Sequence, residues 1–185
     1  TSNLAQYQDL TVVSLVTNPE NLFDPDTGIY VTGNQYLDWK NSDAYNPDKS
    51  VWDTDNLTNY FSKGKEWERE AALTVFQDGK AVVDQNIGIR IKGASSRNSA
   101  QKNFNLYARS TYGASKISYP LIPDNYAADG TLIDQYDSVS LRAVSEEGRL
   151  RDGFSQKLLT DRTNLTKQDM QSCVVFLNGE YWGLY

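Results

Sequence analysis

Two dipeptides, Asp78-Gly79 and Asn178-Gly179, do most to limit what this chain can fold into. Two-residue turns of type I′ need positive φ at both central positions, which matches the right-handed twist of the flanking strands, and Asp-Gly and Asn-Gly meet that need. Ala71-Ala72-Leu73-Thr74-Val75-Phe76 precedes the first and Ala81-Val82-Val83 follows it; Cys173-Val174-Val175-Phe176-Leu177 precedes the second and Tyr181-Trp182 follows. Two β-hairpins are therefore expected. The 12 Tyr, four Trp and six Phe, against one Met and no His, also suit pleated, half-buried surface, so strand should exceed helix.

The other segments extend this pattern. Residues 11–17 form a β-branched run ended by Asn18-Pro19. Ile87, Ile89 and Ile91 alternate with Gly88, Arg90 and Lys92; after a polar loop, Phe104, Leu106 and Ala108 alternate again, and Ser138 to Leu141 makes a shorter strand. One helix is predicted over 149–162, after Glu146-Glu147 and ending near Asn164, with Leu150, Phe154, Leu158 and Leu159 as its apolar stripe. From 18 to about 65 the chain is polar and turn-rich, with Leu22-Phe23, Ile29-Tyr30-Val31, Trp39, Trp52 and Tyr60-Phe61 as anchors that wrap it on the core. The expected class is α+β: a twisted antiparallel sheet of about five to seven strands, a common sheet size, with one main helix packed on a face. A chain of 185 residues fits one domain, with 1–65 as a loop-rich lead-in and 66–185 as sheet, helix and terminal hairpin.

Composition excludes several kinds of chemistry. A net charge of −6 argues against sequence-independent nucleic-acid binding, which needs a cationic face. Without His, a His-based triad or His-ligated zinc site is impossible, and the lone Cys173, in an apolar run, reads as a buried inert thiol. No apolar run approaches the roughly 20 residues of a membrane span. Thr1-Ser2-Asn3-Leu4 lacks an initiator Met and reads as a mature or trimmed start, so secretion stays open; an aromatic strand running to Tyr185 reads as a cut end.

Of the polar segments, the loop from Gly93 to Gln101 is the best phosphate-site candidate. Gly93, Ala94, Ser95 and Ser96 are small enough for backbone N–H groups to approach an anion, and Arg90, Lys92, Arg97 and Lys102 supply charge. Lys102 opens the second strand and should point back under the loop as the phosphate contact, with Arg97 second. The competing reading is a polar hairpin loop with solvated basic residues. In the helix, Arg151 and Asp152 are candidates for a supporting ion pair, with capping and surface salt bridges as the alternative. Asp24-Pro25-Asp26-Thr27-Gly28 has carboxylates at calcium-loop spacing but no later Glu, which favours an Asx turn. Asp43, Asp48, Asp53 and Asp55 read as solvated turn residues.

Three blocks together resemble the CotH kinase family: Gly88-Ile89-Arg90-Ile91-Lys92-Gly93-Ala94-Ser95-Ser96-Arg97 with Gln101-Lys102-Asn103-Phe104-Asn105-Leu106; Leu150-Arg151-Asp152; and Phe176-Leu177-Asn178-Gly179-Glu180-Tyr181-Trp182-Gly183-Leu184-Tyr185. Leu22 to Tyr30 and Glu66-Trp67-Glu68-Arg69 resemble the lead-in of longer bacterial members. The family usually has Gly-Asn-Ser-Ser or Gly-Gly-Ala-Ser where this chain has Gly93-Ala94-Ser95-Ser96. The resemblance implies the N-terminal portion of an atypical kinase domain, whose parent transfers phosphate from ATP, with Mg or another divalent cation, to Ser or Thr of a secreted, cell-surface or spore-coat protein. It also implies that the metal-binding aspartates lie downstream, so no catalytic or metal residue is expected here and the fragment alone should be inactive. The alternative function is a non-catalytic cell-surface or spore-coat binding module.

Overall fold

The β-branched run near the N-terminus lies inside a sheet, with partners on both sides. The structure, a computed structural model, describes residues 4–7, 9–49, 57–143, 151–160 and 168–185. For Leu4, Ala5, Arg151, Asp152, Leu159 and Thr160 it describes the backbone alone. Expectations for Trp52, Asp53, Asp55, Glu146, Glu147, Leu150 and Asn164, and for the Arg151 and Asp152 side chains, fall outside this description.

The strands are β1 (Thr11–Val16), β2 (Arg69–Gln77), β3 (Lys80–Lys92), β4 (Asn103–Tyr107), β5 (Ile117–Ser118), β6 (Gln135–Tyr136), β7 (Ser138–Leu141), β8 (Cys173–Leu177) and β9 (Glu180–Leu184). Seven form one sheet in the order β7-β4-β3-β2-β1-β8-β9, and β5 pairs with β6. Both predicted hairpins are present, with φ of +50° and +71° at Asp78 and Gly79 and +51° and +85° at Asn178 and Gly179. All pairings but one in the large sheet are antiparallel; β1 runs parallel to β8, Val13 facing Val175. The sheet is therefore mixed where an antiparallel one was expected, because the long connection through the helix returns the chain beside β1 in the same direction.

Period-two patterning decides which face is dry. Leu15, Leu73, Ile87, Ile89, Phe104 and Leu106 point into the core and are fully buried. Each buried Leu or Ile there contributes roughly 1.5–3 kcal/mol. Arg90, Lys92, Asn105, Tyr107 and Ser140 alternate onto the other face. The sheet curls into a half-barrel.

The lead-in wraps this core as expected. Asn18 caps α1 (Pro19–Phe23), its Oδ1 accepting from Glu20 N at 3.1 Å, and Leu22 and Ile29 are buried in the main cluster. Asn59 Nδ2 donates to Gly28 O at 3.1 Å, and the Arg69 guanidinium donates to Thr27 O at 2.6 Å, tying the excursion that holds α2 (Asn34–Lys40) to the sheet.

The predicted helix exists as α3 (Arg151–Thr160), but two of its four stripe residues, Phe154 and Leu158, do not pack as expected; Leu150 and the Leu159 side chain lie outside the description. Phe154 is 64% exposed and Leu158 51%. Among the described side chains of the helix the buried position is Gly153, where an added Cβ would meet the Met170 thioether, so this small residue, and not Phe154 or Leu158, faces inward.

Candidate functional site

Between β3 and β4 the loop from Gly93 to Gln101 is shaped largely by its own side chains. Gly93 has φ +120°, and a Cβ on it would meet Ser96 Oγ. That hydroxyl in turn accepts from Asn103 Nδ2 at 3.0 Å. A short 3-10 turn, Ser95–Asn98, follows. The Arg97 side chain folds inward, its Nε donating to Gly93 O at 2.7 Å and its Nη1 to Tyr60 O and Ser62 O at 3.0 and 3.1 Å.

Lys102 takes the expected direction, back under the loop, but its ammonium is already engaged. Nζ donates to Arg97 O at 2.8 Å and Ser99 O at 2.9 Å, and lies 4.0 Å from the centre of the Tyr60 ring and 5.2 Å from that of Tyr30. Only 5% of the residue is exposed, and burial pushes the ammonium down to about 8. With Arg97 7% exposed, both favoured phosphate contacts instead hold the loop's carbonyls inward.

Two of the three blocks that carry the family resemblance touch each other here. Gln101 Nε2 donates to Trp182 O and Leu184 O at 3.4 and 3.2 Å, over Gly183, where a Cβ would collide with the same amide. The Tyr185 hydroxyl donates to Lys102 O at 3.0 Å. Tyr30 OH accepts from Lys102 N at 3.0 Å and donates to Ala100 O at 2.8 Å. The terminal hairpin, the loop and the lead-in are thus bolted together around Lys102.

The loop separates two recesses. On one flank, Asn98, Ser99, Ala100 and Lys102 face Phe23, Tyr30 and Tyr60 across an open groove of about 590 Å³. On the other, Ser95 and Ser96 join Lys92, Asn103 and Arg142 at the polar end of a cavity of about 660 Å³, whose wall includes Leu106, Val139 and Leu141, with Gly153 and Gln156 from α3. Lys92 Nζ donates to Ser140 Oγ at 2.7 Å; its ammonium is pulled down by burial and then by the like charge of Arg142. Ser95, Ser96, Lys92 and Arg142 are among the polar groups that reach this cavity, with Asn103, Ser140, Gln156 and the carboxylate of Asp169. Sequence reading weighed Lys92 only as one of four loop cations and did not single out Arg142, although both follow from strand alternation.

Arg90 belongs to a different cluster. Its Nε is 3.3 Å from Glu68 Oε2, and its guanidinium lies 4.2 Å over the Tyr107 ring. Glu68, with a side chain 0% exposed, also accepts from Arg109 Nε and Nη2 at 2.7 and 3.0 Å and from Tyr112 OH at 3.1 Å. Gly88 makes room for this carboxylate. Sequence reading missed the cluster, because Glu68 lies about 20 residues from Arg90 and 41 from Arg109 with no local pattern joining them.

Asp24 forms the Asx turn, its Oδ1 accepting from Asp26 N at 2.9 Å and Thr27 N at 2.8 Å; those bonds, Thr27's foremost, hold the carboxyl below its usual range. Among the described residues no group of three or more His, Cys, Asp or Glu is placed to hold a metal ion, and no helix is long and apolar enough to cross a membrane. Burial pushes the Cys173 thiol up to about 12, matching the inert role expected for it.

No curated protein matches this chain. A family model described as CotH kinase protein matches residues 89–185, more than half of the chain and the stretch that holds the loop, Lys102 and the terminal hairpin. The chain belongs to the CotH kinase family.

Proposed function

We propose that residues 1–185 are the N-terminal, nucleotide-binding portion of one CotH-like atypical kinase domain, with 1–65 as lead-in and 66–185 as sheet, helix and hairpin. The complete protein would transfer phosphate from ATP to Ser or Thr of a secreted, cell-surface or spore-coat protein. One observation carries this reading: Ser95 and Ser96 of the glycine-serine loop line, with Lys92 and Arg142, a cavity that also presents apolar surface from Leu106, Val139 and Leu141. That polarity suits a ligand with a flat apolar ring at one end and an anionic chain at the other.

Ser95 and Ser96 would donate to phosphate oxygens, Lys92 and Arg142 would carry the opposing charge, and Arg97 and Lys102 would act one step back by fixing the loop. A divalent cation, when bound, neutralises charge on the phosphates. No described residue is assigned to hold it. A second reading, a non-catalytic surface or coat module, draws on the aromatic groove formed by Phe23, Tyr30 and Tyr60 on the loop's other flank.

Titration of a fluorescent ATP analogue with Mg tests the choice. Saturable binding is expected, weakened about tenfold by Lys92→Ala, the loss of one charge-assisted contact. Absence of saturable binding, or equal binding by the variant, rejects the nucleotide reading and favours the module.

A further inference from the structure

Among the described residues, strand β7 closes one side of the sheet and has only β4 as a partner. Register across that pair runs Phe104 to Leu141, Leu106 to Val139 and Tyr107 to Ser138 without a shift. Ala108 N donates to Asp137 O at 2.9 Å. Antiparallel bonding alternates, so Asp137, Val139 and Leu141 spend their backbone groups on β4, while Ser138 and Ser140 turn theirs outward. Among the described residues neither serine makes a backbone bond outside the β4 ladder. The edge carries no proline, lysine or bulge within Ser138–Leu141, the devices that usually blunt such an edge.

The surface beside it is cationic, although the whole chain carries −6. Lys92 Nζ rests on Ser140 Oγ, and Ser140 Oγ donates to Asn105 Oδ1 at 2.7 Å. Arg90 and Arg109 flank the Tyr107 ring at 4.2 and 4.8 Å, and Arg142 continues the same alternation. Glu68 is buried and already bound by the two arginines, and Asp169, which lines the cavity with Ser140, is likewise engaged. Asp137 is paired with Lys116 at 2.7 Å. Glu70 and Asp84 lie farther from β7, on β2 and the distal half of β3.

We propose that the outer edge of β7 is a docking strand for an extended acidic polypeptide segment, which pairs with it as a further strand of the sheet. Backbone bonds to Ser138 and Ser140 supply the register. Side chains opposite the two serines fall on the cationic face, and those opposite Val139 and Leu141 fall on the apolar face toward the cavity wall. The partner therefore alternates acidic and apolar residues. This site needs no nucleotide and stands whether or not the cavity binds one.

The test uses an eight-residue peptide of alternating Glu and Val, a Lys-Val counterpart, and the Glu-Val peptide N-methylated at alternate residues, each measured by fluorescence anisotropy without nucleotide. The Glu-Val peptide is expected to bind at least tenfold better than Lys-Val, and methylation in one of the two alternate phases should abolish binding. Amide exchange should slow at Ser138 and Ser140, while Val139, already bonded to β4, changes little. Ser138→Pro removes one outward N–H without breaking the β4 ladder and should weaken binding roughly fivefold. Equal binding of the Glu and Lys peptides, indifference to methylation in both phases, or unchanged exchange at the two serines overturns the proposal. Peptide-independent dimerisation seen by light scattering, with the same amides protected, also overturns it and assigns the edge to a second copy.

Discussion

Replacing Lys102 by methionine should leave stability nearly unchanged at pH 7 and reduce it clearly at pH 10. Two opposing terms are involved. The amine donates to Arg97 O and Ser99 O, and methionine leaves both carbonyls without that partner. At roughly 1 kcal/mol net per bond, the loss is about 2 kcal/mol at any pH, because a neutral amine still donates twice. Against this stands the cost of burying charge. The ammonium falls from 10.5 to about 8 through burial, and at 1.36 kcal/mol per pH unit the shift corresponds to about 3 kcal/mol. Attraction to the Tyr60 and Tyr30 rings favours the charged form, so that figure is an upper bound and about 2 kcal/mol is the working value.

The sign follows from proton binding. Between pH 8 and 10.5 the unfolded chain holds the Lys102 proton more tightly than the folded one, so wild-type stability rises with pH across that window. Methionine removes this slope. Urea unfolding followed by tryptophan fluorescence at pH 7 and pH 10 should give a difference within about 1 kcal/mol at the lower pH and about 2 kcal/mol at the higher. An identical loss at both values would refute the argument, since it would mean that the ammonium pays no burial penalty.

Two further substitutions probe the contacts that hold the site. Glu68→Gln leaves Arg90 and Arg109 without their buried counter-charge and should cost about 3 kcal/mol in chemical denaturation, far above the value for an exposed pair. Gly183→Ala places a Cβ against the Gln101 amide at φ +132° and should cost about 2–3 kcal/mol; in a Gln101→Ala background the steric part should vanish, and a double-mutant cycle in thermal melts measures it.

Strands were the most legible part of the sequence, because alternation and turn chemistry are local. Ile87, Ile89 and Ile91 give the inward face of β3 directly, and Asp78-Gly79 and Asn178-Gly179 give the turns. The direction of β8 was not legible, since nothing local records which edge a returning strand joins. Helix α3 shows the limit of apolar periodicity. Phe154 and Leu158 form a true stripe, yet the neighbouring segment fills its space at Gly153, a fact held by Met170 and not by the helix. For the loop, residue types were legible and their orientation was not. A lysine and an arginine beside a Gly-Ser turn look alike in sequence whether they reach outward or, as Arg97 and Lys102 do, satisfy carbonyls beneath it.

The parallel seam between β1 and β8 has a consequence for synthesis. Thr17 N donates to the Asn178 side chain across 161 residues, and the neighbouring ladder spans a similar separation. On a ribosome the β2, β3 and β4 hairpins can form as they emerge, but one edge of the β-branched strand Thr11–Val16 has no partner until β8 is made. At roughly 5–20 residues per second, that interval is on the order of ten to thirty seconds. The nascent chain should therefore depend on holding chaperones longer than its length suggests, with docking of the terminal hairpin as the late, slow event expected of a high-contact-order sheet.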